Sequence, residues 1–257
     1  MATALGARNP RVDYARELLQ KKGRLEYHRF IFEGPTLLRE AVESSTPIEA
    51  LYVTAAAYRD STLVRELERG GAATYLLEDR TFAKISDVKS PSGIAAIAPI
   101  ALTDLAELLV EPGIVLVLAD LNDPGNAGTL LRSAEAFGVT RAIFGSAGVE
   151  PYHPKVVRGA MGATFRLRLA VANPAELGAI RAGWSILGTA ADGEPIGGIT
   201  WDSRSLLVVG QERAGLGAWT ALCDRLVSLP MRGGAESLNA AVAGSLALYE
   251  ATKPPRR

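Results

Sequence analysis

Residues 114–132 read IVLVLADLNDPGNAGTLLR, and this stretch decides the fold of the second half of the chain. It begins with a run of apolar residues that is typical of a central parallel strand covered on both faces. A polar turn containing Pro124 and Gly125 then leads into a helical pattern. Because ligands of open α/β sheets bind beyond the carboxyl ends of the strands, this turn is a candidate site.

The turn and the helix after it carry two polar side chains that suit ligand binding. Asn126 is predicted as the N-cap of the helix. Arg132 follows on the early part of that helix, where a guanidinium could grip a phosphate with two hydrogen bonds. The plainer interpretation is a capped helix with an arginine on its surface.

Residues 207–216, LVVGQERAGL, repeat the arrangement of an apolar strand followed by a glycine-containing turn. Gly210 would let a ligand approach the backbone closely, and Glu212 adds a carboxylate beside it. The spacing is neither that of a dinucleotide-binding glycine motif nor that of a P-loop, so a nicotinamide-dependent oxidoreductase is only weakly supported. An ordinary strand-to-helix turn would look the same.

Residues 229–249, LPMRGGAESLNAAVAGSLALY, form the third such segment. Ser237 is predicted as the N-cap of a helix, with Asn239 in its first turn. Small residues dominate the helix and would let another element pack very close to it. Considered alone, this segment indicates a capped, buried helix.

The pattern of strands and helices indicates two domains. Alternating short strands and helices over residues 1–100 predict a small α/β sandwich, with a helix over residues 10–22. Residues 101–112 are predicted as a linker. Residues 113–257 are predicted to form an open parallel sheet with helices on both sides.

Composition narrows the class of protein without naming a function. Hydrophobic residues make up 48% of the 257-residue chain and charged residues 22%, as in ordinary globular proteins. A single cysteine, the lack of a signal-peptide pattern and the lack of a long apolar run predict a cytoplasmic protein with no membrane segment. The formal net charge is zero, but residues 8–29 are locally basic, which suits either RNA phosphates or an ordinary solvated helix face.

Taken together and in order, the three segments resemble the motifs of the SpoU (TrmH-like) branch of the SPOUT methyltransferases. The resemblance covers residues 114–250. Upstream, residues 9–34, NPRVDYARELLQKKGRLEYHRFIFEG, are similar to the substrate-binding domain found in front of many rRNA-modifying members. Residues 151–167, PYHPKVVRGAMGATFRL, also match the rRNA type.

The resemblance implies a fold and a cofactor that composition could not have indicated. It implies a C-terminal domain tied in a deep trefoil knot, although true knots are almost absent from proteins. It also implies that this domain binds S-adenosylmethionine and forms homodimers, for which the Ala-rich last helix is a suitable interface. By position, with Thr189 placed at the end of a strand over residues 184–188, the cofactor residues would be Leu187, Gly188, Thr189, Gly210, Leu229, Met231 and Leu238.

The resemblance further implies transfer of a methyl group to a ribose 2′-hydroxyl of RNA, without a metal. The residues that match the family's catalytic set are Asn126, Arg132, Glu212, Ser237 and Asn239. The family's proton acceptor corresponds to Arg132. Since a guanidinium is a poor base, clamping the phosphate beside the target ribose is an alternative role for this residue.

The N-terminal domain would select the RNA, with 23S ribosomal RNA as the expected substrate and tRNA as the alternative. The expected contacts with the RNA backbone come from Lys21, Lys22, Arg24, Arg29, Lys155 and Arg158. Protection of the ribosome against an antibiotic would also be consistent with the resemblance. A rival from another class is an RNA-binding protein whose methyltransferase domain has lost its activity.

Overall fold

The computed structural model describes residues 2–231 and 237–253. Its strands, in chain order, are β1 Thr3–Ala4, β2 Arg29–Glu33, β3 Ala50–Thr54, β4 Ala73–Leu77, β5 Ile94–Pro99, β6 Gly113–Leu118, β7 Arg141–Gly145, β8 Arg168–Ala172, β9 Ser185–Pro195, β10 Arg204–Val209 and β11 Arg225–Ser228. Its α-helices are α1 Pro10–Glu17, α2 Lys21–Tyr27, α3 Pro35–Glu43, α4 Ala55–Asp60, α5 Thr62–Arg69, α6 Asp79–Phe82, α7 Leu105–Leu108, α8 Pro124–Ala136, α9 Pro154–Ala160, α10 Ala163–Arg166, α11 Pro174–Ile180 and α12 Ala240–Thr252.

The described residues divide into two compact units. The N-terminal unit comprises residues 2–101 together with Tyr152–Phe165, and the C-terminal unit comprises Leu102–Pro151 together with residues 166–231 and 237–253. The segment that contains α9 therefore packs with the N-terminal unit, although it lies inside residues 113–257 of the sequence. Aromatic contacts explain this placement, since the rings of Tyr152 and Phe30 have their centroids 4.6 Å apart.

The N-terminal unit is built on a mixed sheet with the strand order β1-β4-β3-β5-β2. Strands β1, β4 and β3 are parallel, whereas β5 pairs antiparallel with both β3 and β2. Buried side chains of β2, β3 and β5 pack against α1 and form the hydrophobic core of the N-terminal unit. This is the small α/β domain that the alternating pattern predicts.

The helix predicted over residues 10–22 is divided in the structure into α1 and α2. The chain turns so tightly between them that a Cβ on Gly23 would lie 2.3 Å from the carbonyl oxygen of Glu17. The guanidinium of Arg24 then donates a hydrogen bond to the carbonyl of Leu18, which is the C-cap of α1. The prediction of one continuous helix was wrong because the apolar pattern does not record this turn.

The C-terminal unit is an all-parallel sheet with the strand order β11-β9-β10-β6-β7-β8. The apolar run of residues 114–118 forms most of β6, which lies between β10 and β7, and residues 115–118 are buried. Strand β9 continues to Pro195 because β11 changes register between Leu226 and Val227 and pairs again with Glu194 and Pro195. Thr189 therefore lies within a strand and not at its end, which corrects that expectation.

Helices α8 and α12 pack against each other beside this sheet. A Cβ on Gly244 would lie 2.5 Å from Cδ2 of Leu130 and 3.0 Å from a methyl group of Val209, so a larger residue would require these side chains to shift. The hydroxyls of Ser133 and Ser245 are hydrogen-bonded across the two helices at 2.7 Å. The small residues of α12 thus permit the close packing that the sequence predicts. No helix of the described residues is both long enough and apolar enough to cross a membrane.

Candidate active site

The carboxyl ends of β6 and β10 and the start of α12 bring three of the predicted site residues together. Glu212 Oε1 accepts hydrogen bonds from Asn126 Nδ2 at 3.1 Å and from Asn239 Nδ2 at 2.5 Å. Asn239 Nδ2 also lies 3.0 Å from Asn126 Oδ1. Residues 113 positions apart in the sequence therefore form one polar cluster at the edge of the sheet.

The helix cap beside this cluster is Asp123, not Asn126, which corrects the predicted N-cap of α8. Asp123 Oδ1 accepts a hydrogen bond from the backbone N–H of Asn126 at 2.7 Å. Because an aspartate already caps the helix, the side-chain amide of Asn126 is released to bond with Glu212 and Asn239. The sequence could not separate the two residues, since both are favoured N-caps.

The N-cap of α12 is Asn239, not Ser237. Asn239 Oδ1 accepts hydrogen bonds from the backbone N–H groups of Ala241 and Val242, at 3.0 and 3.2 Å. Its side chain thus has two uses, since the oxygen caps the helix while the amide nitrogen donates to the cluster. Ser237 precedes the helix and is exposed.

Glu212 also contributes to the start of α12. Its Oε1 accepts a hydrogen bond from the backbone N–H of Ala240 at 3.2 Å. A carboxylate at a helix N-terminus is favourable because the unpaired N–H groups there carry partial positive charge. One oxygen of Glu212 is therefore held by three donors, so its geometry is fixed even though the side chain is exposed.

Arg132 lies on α8, in the second turn after Asn126, and is exposed. Within the described residues its guanidinium makes no hydrogen bond or ion pair. The structure thus joins Asn126, Glu212 and Asn239 directly, but it does not bring Arg132 or Ser237 into the same hydrogen-bonded cluster.

A cavity of about 610 Å³ opens beside the cluster in the C-terminal unit. Its wall includes five of the seven predicted cofactor residues, namely Thr189, Gly210, Leu229, Met231 and Leu238. Glu212 and Ser237 line it as well. The cavity therefore adjoins the hydrogen-bonded cluster through a shared residue, Glu212.

Leu187 and Gly188, the remaining two predicted cofactor residues, do not line the cavity. Both are buried within β9. A Cβ on Gly188 would lie 2.5 Å from Leu216 Cδ1 and 2.6 Å from Cys223 Sγ, so this glycine makes room for side chains that pack beneath the cavity. Their expected contact with the cofactor therefore stays a prediction that the cavity wall does not support.

The cavity has further lining residues that the sequence analysis did not single out. Ala240, Ala243 and Ala247 present one face of α12 to it, and Gln211 and Asp192 add polar groups. The spacing of the alanines on the helix was a usable signal, since positions three and four residues apart share a face. Nothing in the sequence distinguished Asp192 from other acidic residues at the surface.

The basic residues expected to contact RNA have different surroundings within the N-terminal unit. Lys21 and Lys22 of α2 and Lys155 of α9 are exposed. Arg24 is only 1% exposed and is committed to the carbonyl of Leu18, so its predicted role in RNA contact is corrected to a structural one.

The other two arginines of that set are already paired with acids. Arg29 Nε lies 2.6 Å from Glu49 Oε2, and Arg158 Nη1 lies 2.7 Å from Asp87 Oδ1. Both remain partly exposed, so each could still meet a phosphate, but with part of its charge already neutralised. Lys21, Lys22 and Lys155 are therefore the stronger candidates for RNA contact.

Two other kinds of site, a metal centre and a cysteine nucleophile, have little support in the described residues. They contain no group of three or more histidine, cysteine or acidic side chains placed to hold a metal ion. Burial, followed by the nearby Asp224, raises the pKa of the Cys223 thiol to about 11, so the thiol stays protonated near neutral pH. A cysteine nucleophile is therefore not favoured.

Two family models match the chain. Residues 113–249 match the model of the SpoU rRNA methylase family, and residues 9–96 match the MRM3-like substrate binding domain. The chain belongs to the SpoU rRNA methylase family. The chain is also 30% identical over 249 residues to the 23S rRNA (guanosine(2553)-2′-O)-methyltransferase RlmP of Bacillus subtilis, covering 95% of this chain and 96% of that protein.

Solved structures of methyltransferases match nearly the whole chain. The AdoMet-bound rRNA methyltransferase of Sinorhizobium meliloti has a TM-score of 0.85 at 26% identity, with 97% of each chain covered. The SpoU methyltransferase AviRb of Streptomyces viridochromogenes, in complex with AdoMet, has a TM-score of 0.84 at 31% identity, with 95% of this chain and 97% of that chain covered. The predicted α/β fold class with a trefoil knot is thereby confirmed.

Proposed function

We propose that this SpoU family member transfers a methyl group from S-adenosylmethionine to a ribose 2′-hydroxyl in 23S ribosomal RNA. The observation that carries the proposal is the cluster of Asn126, Glu212 and Asn239 beside the cavity. Two relatives, which match over 95% and 64% of this chain, are named 23S rRNA 2′-O-methyltransferases. The matching substrate-binding domain supports RNA as the partner.

The cavity fits the proposed cofactor. Its volume of about 610 Å³ lies within the range of roughly 300–1,000 Å³ that is usual for small-molecule sites. It lies at the carboxyl ends of parallel strands, and its wall combines apolar side chains with backbone segments. A Cβ on Gly210 would lie 2.3 Å from the carbonyl oxygen of Gly215, so glycine is required for the turn that forms one side of the cavity.

When bound, S-adenosylmethionine would supply a methyl carbon made electrophilic by its sulfonium. The protein's residues then have to hold a ribose hydroxyl in line with that carbon, at about 3–3.5 Å, and provide a route for the hydroxyl proton. Asn126, Asn239 and Ser237 would position the nucleotide, and Glu212 would keep the two asparagine amides in place. The residues are proposed to do this without a metal.

Arg132 is proposed mainly as a clamp on the phosphate beside the target ribose. Its exposed guanidinium can form two parallel hydrogen bonds with a phosphate. A guanidinium also remains protonated in proteins, which makes it a weak acceptor for the hydroxyl proton. Substitution by lysine tests whether the site requires arginine itself.

A homodimer is the proposed assembly. Helix α12 buries one face against α8 and the sheet but leaves Val242, Leu246 and Tyr249 between 45% and 52% exposed. These residues lie on one side of the helix, and a contiguous exposed apolar surface of this kind usually marks an interface. A second copy of the chain is the occupant that we propose.

The experiment that tests the substrate is a map of 2′-O-methylation over total ribosomal RNA from cells with and without the gene. The proposal predicts that one 23S site loses its methyl group. Loss confined to tRNA would replace rRNA by the alternative substrate, and no loss in any RNA would favour a protein that only binds RNA. The same pair of strains, exposed to ribosome-targeting antibiotics, tests the predicted role in resistance.

A further inference from the structure

Asp120 lies at the carboxyl end of β6 in an unusual backbone conformation. Its φ angle is 50°, in the left-handed region that non-glycine residues seldom adopt. Its carboxylate accepts hydrogen bonds from the indole Nε1 of Trp219 at 2.8 Å and from the backbone N–H of Ala147 at 3.1 Å. Asp120 is half-buried, and the cavity wall does not include it.

The backbone of Asp120 is used as well. Its carbonyl oxygen accepts a hydrogen bond from Gln211 Nε2 at 2.8 Å, and Gln211 Oε1 accepts one from Asn122 Nδ2 at 3.2 Å. Gln211 begins the turn after β10, and Trp219 follows its end. One residue therefore holds the segment 211–219 at both ends.

The neighbouring loop is shaped to accept Asp120 in this position. A Cβ on Gly145 would lie 2.2 Å from Asp120 Oδ1, and a Cβ on Gly148 would lie 2.7 Å from the carbonyl carbon of Asp120. Gly145 is the last residue of β7 and Gly148 lies in the loop after it. Both positions must be glycine for Asp120 to fit. The loops after three adjacent strands, β10, β6 and β7, are thus joined through a single side chain and its carbonyl.

The segment between the two attachments is the wall of the cavity. Residues from Gly210 to Gly217 line it, and Gln211 and Gly215 exchange two backbone hydrogen bonds of 2.9 Å that close the turn. Glu212 in the same turn is held separately, by Asn126, Asn239 and the N-terminus of α12. Asp120 and the backbone pair Gln211–Gly215 therefore hold the part of the turn that lines the cavity. The contacts with Asn126, Asn239 and α12 hold Glu212 in the polar cluster.

We propose that Asp120 is a positioning residue, which through Trp219 and Gln211 holds the 211–219 wall in the form that binds S-adenosylmethionine. The inference rests on the proposed function for the identity of the ligand. It predicts that weakening these contacts reduces affinity for the cofactor more than turnover at saturating cofactor. The reason is that the contacts of Glu212 do not pass through Asp120.

The test uses the full chain and the variants Asp120→Asn and Trp219→Phe. Asparagine tolerates the left-handed conformation but turns one of the two carboxylate oxygens into a donor that faces another donor. Phenylalanine removes the indole N–H and keeps an aromatic ring. Trp184→Phe is the matched control, because Trp184 is buried in the same core cluster but its ring contacts Arg141 and Arg204 instead.

Calorimetry should show that the Kd for S-adenosylmethionine rises about tenfold in Asp120→Asn and in Trp219→Phe, because each variant loses a charge-assisted hydrogen bond. In the control Trp184→Phe the Kd should rise less than about twofold. The kcat for methyl transfer at saturating cofactor should stay within about threefold of the original. The Kd of the double variant for S-adenosylmethionine should not exceed the higher of the two single-variant values, since both changes break the same contact.

Three results would overturn the inference. One is an unchanged Kd in both folded variants, and another is an equal rise in the Trp184→Phe control. The third is a double variant whose losses multiply. If Asp120→Asn does not fold, Trp219→Phe decides alone. A wild-type chain that binds no S-adenosylmethionine would refute the proposed function itself, so the two failures are distinguishable.

Discussion

At the scale of single residues, Glu212 has the most demanding position in the site. One carboxylate oxygen accepts hydrogen bonds from two asparagine amides and from the backbone N–H of Ala240. Such an arrangement suits a residue that orders its neighbours, because a single oxygen joins the turn after β10 to α8 and to the start of α12. Glu212 is therefore assigned a positioning role, and Arg132 is the cation that we propose for the phosphate.

The first prediction concerns Arg132→Lys. Lysine keeps the positive charge but loses the planar fork that bonds two phosphate oxygens at once, so we expect turnover to fall at least tenfold. Methyl transfer to rRNA under saturating cofactor measures this, while calorimetry with S-adenosylmethionine serves as the control and should show no change. Nearly full turnover with lysine would rule out a role that requires arginine.

The sequence predicted which residues belong to the site better than it predicted the role of each side chain. The resemblance of the three motifs to the SpoU family implied that Asn126, Glu212 and Asn239 belong to one site, and hydrogen bonds join these three side chains in the structure. The sequence could not decide that Asp123 rather than Asn126 caps α8, since both types suit the position. It also missed Asp120, whose importance depends on partners in distant parts of the chain.

At the scale of secondary-structure elements, the start of α12 contributes both to the stability of the helix and to the geometry of the site. Asn239 caps this helix with its oxygen and bonds to Glu212 and Asn126 with its nitrogen. Helix α11 has a cap of the same residue type, Asn173, which forms a capping box with Glu176. The two helices therefore offer a matched pair in which only one cap has contacts with the site.

The second prediction compares Asn239→Ala with Asn173→Ala. Loss of an N-cap costs about 0.5–2 kcal/mol, so each variant should lower the Tm by a few degrees. Only Asn239→Ala should also reduce methyl transfer, by roughly tenfold or more. Thermal unfolding and an activity assay on the same preparations measure both effects. Equal loss of activity in the two variants would mean that the cap acts through stability alone.

The bounds of several elements depend on tertiary contacts that the local sequence pattern does not record. The strand β6 was predicted almost residue for residue, because a continuous apolar run before a Pro-Gly turn has few alternatives. The break between α1 and α2 was not predicted, since it depends on Gly23 fitting against Glu17. The continuation of β9 to Pro195 was missed for a similar reason, because it requires a partner strand that changes register.

At the scale of the whole molecule, assembly and RNA binding are the properties to test. The third prediction is that the protein is a dimer and that Leu246→Glu shifts it towards monomer, because a charge would have to be buried in the α12 interface. Sedimentation velocity measures the state. Leu102→Glu is the control, since Leu102 is similarly exposed, at 49%, but does not lie on α12. A wild-type monomer, or a dimer unaffected by Leu246→Glu, would contradict this interface.

The fourth prediction concerns Lys21 and Lys22 on the N-terminal unit. If both neutralise phosphates, the double variant Lys21→Gln/Lys22→Gln should weaken RNA binding and lower the slope of log affinity against log salt by roughly 0.7–0.9 for each lost contact. A salt titration of binding to a 23S fragment measures the slope. Lys84→Gln provides a control at another exposed lysine. An unchanged slope in the double variant would exclude α2 from the RNA surface.

The central claim is that the methyl group goes to a ribose hydroxyl, and alkaline hydrolysis tests it most directly. Alkali cleaves RNA through the free 2′-hydroxyl, so a 2′-O-methylated nucleotide remains joined to its neighbour as a dinucleotide. We predict that rRNA incubated with the protein and methyl-labelled S-adenosylmethionine yields its label in alkali-stable dinucleotides, and that Asn126→Ala abolishes it. Label recovered in mononucleotides would indicate methylation of a base and would contradict the account.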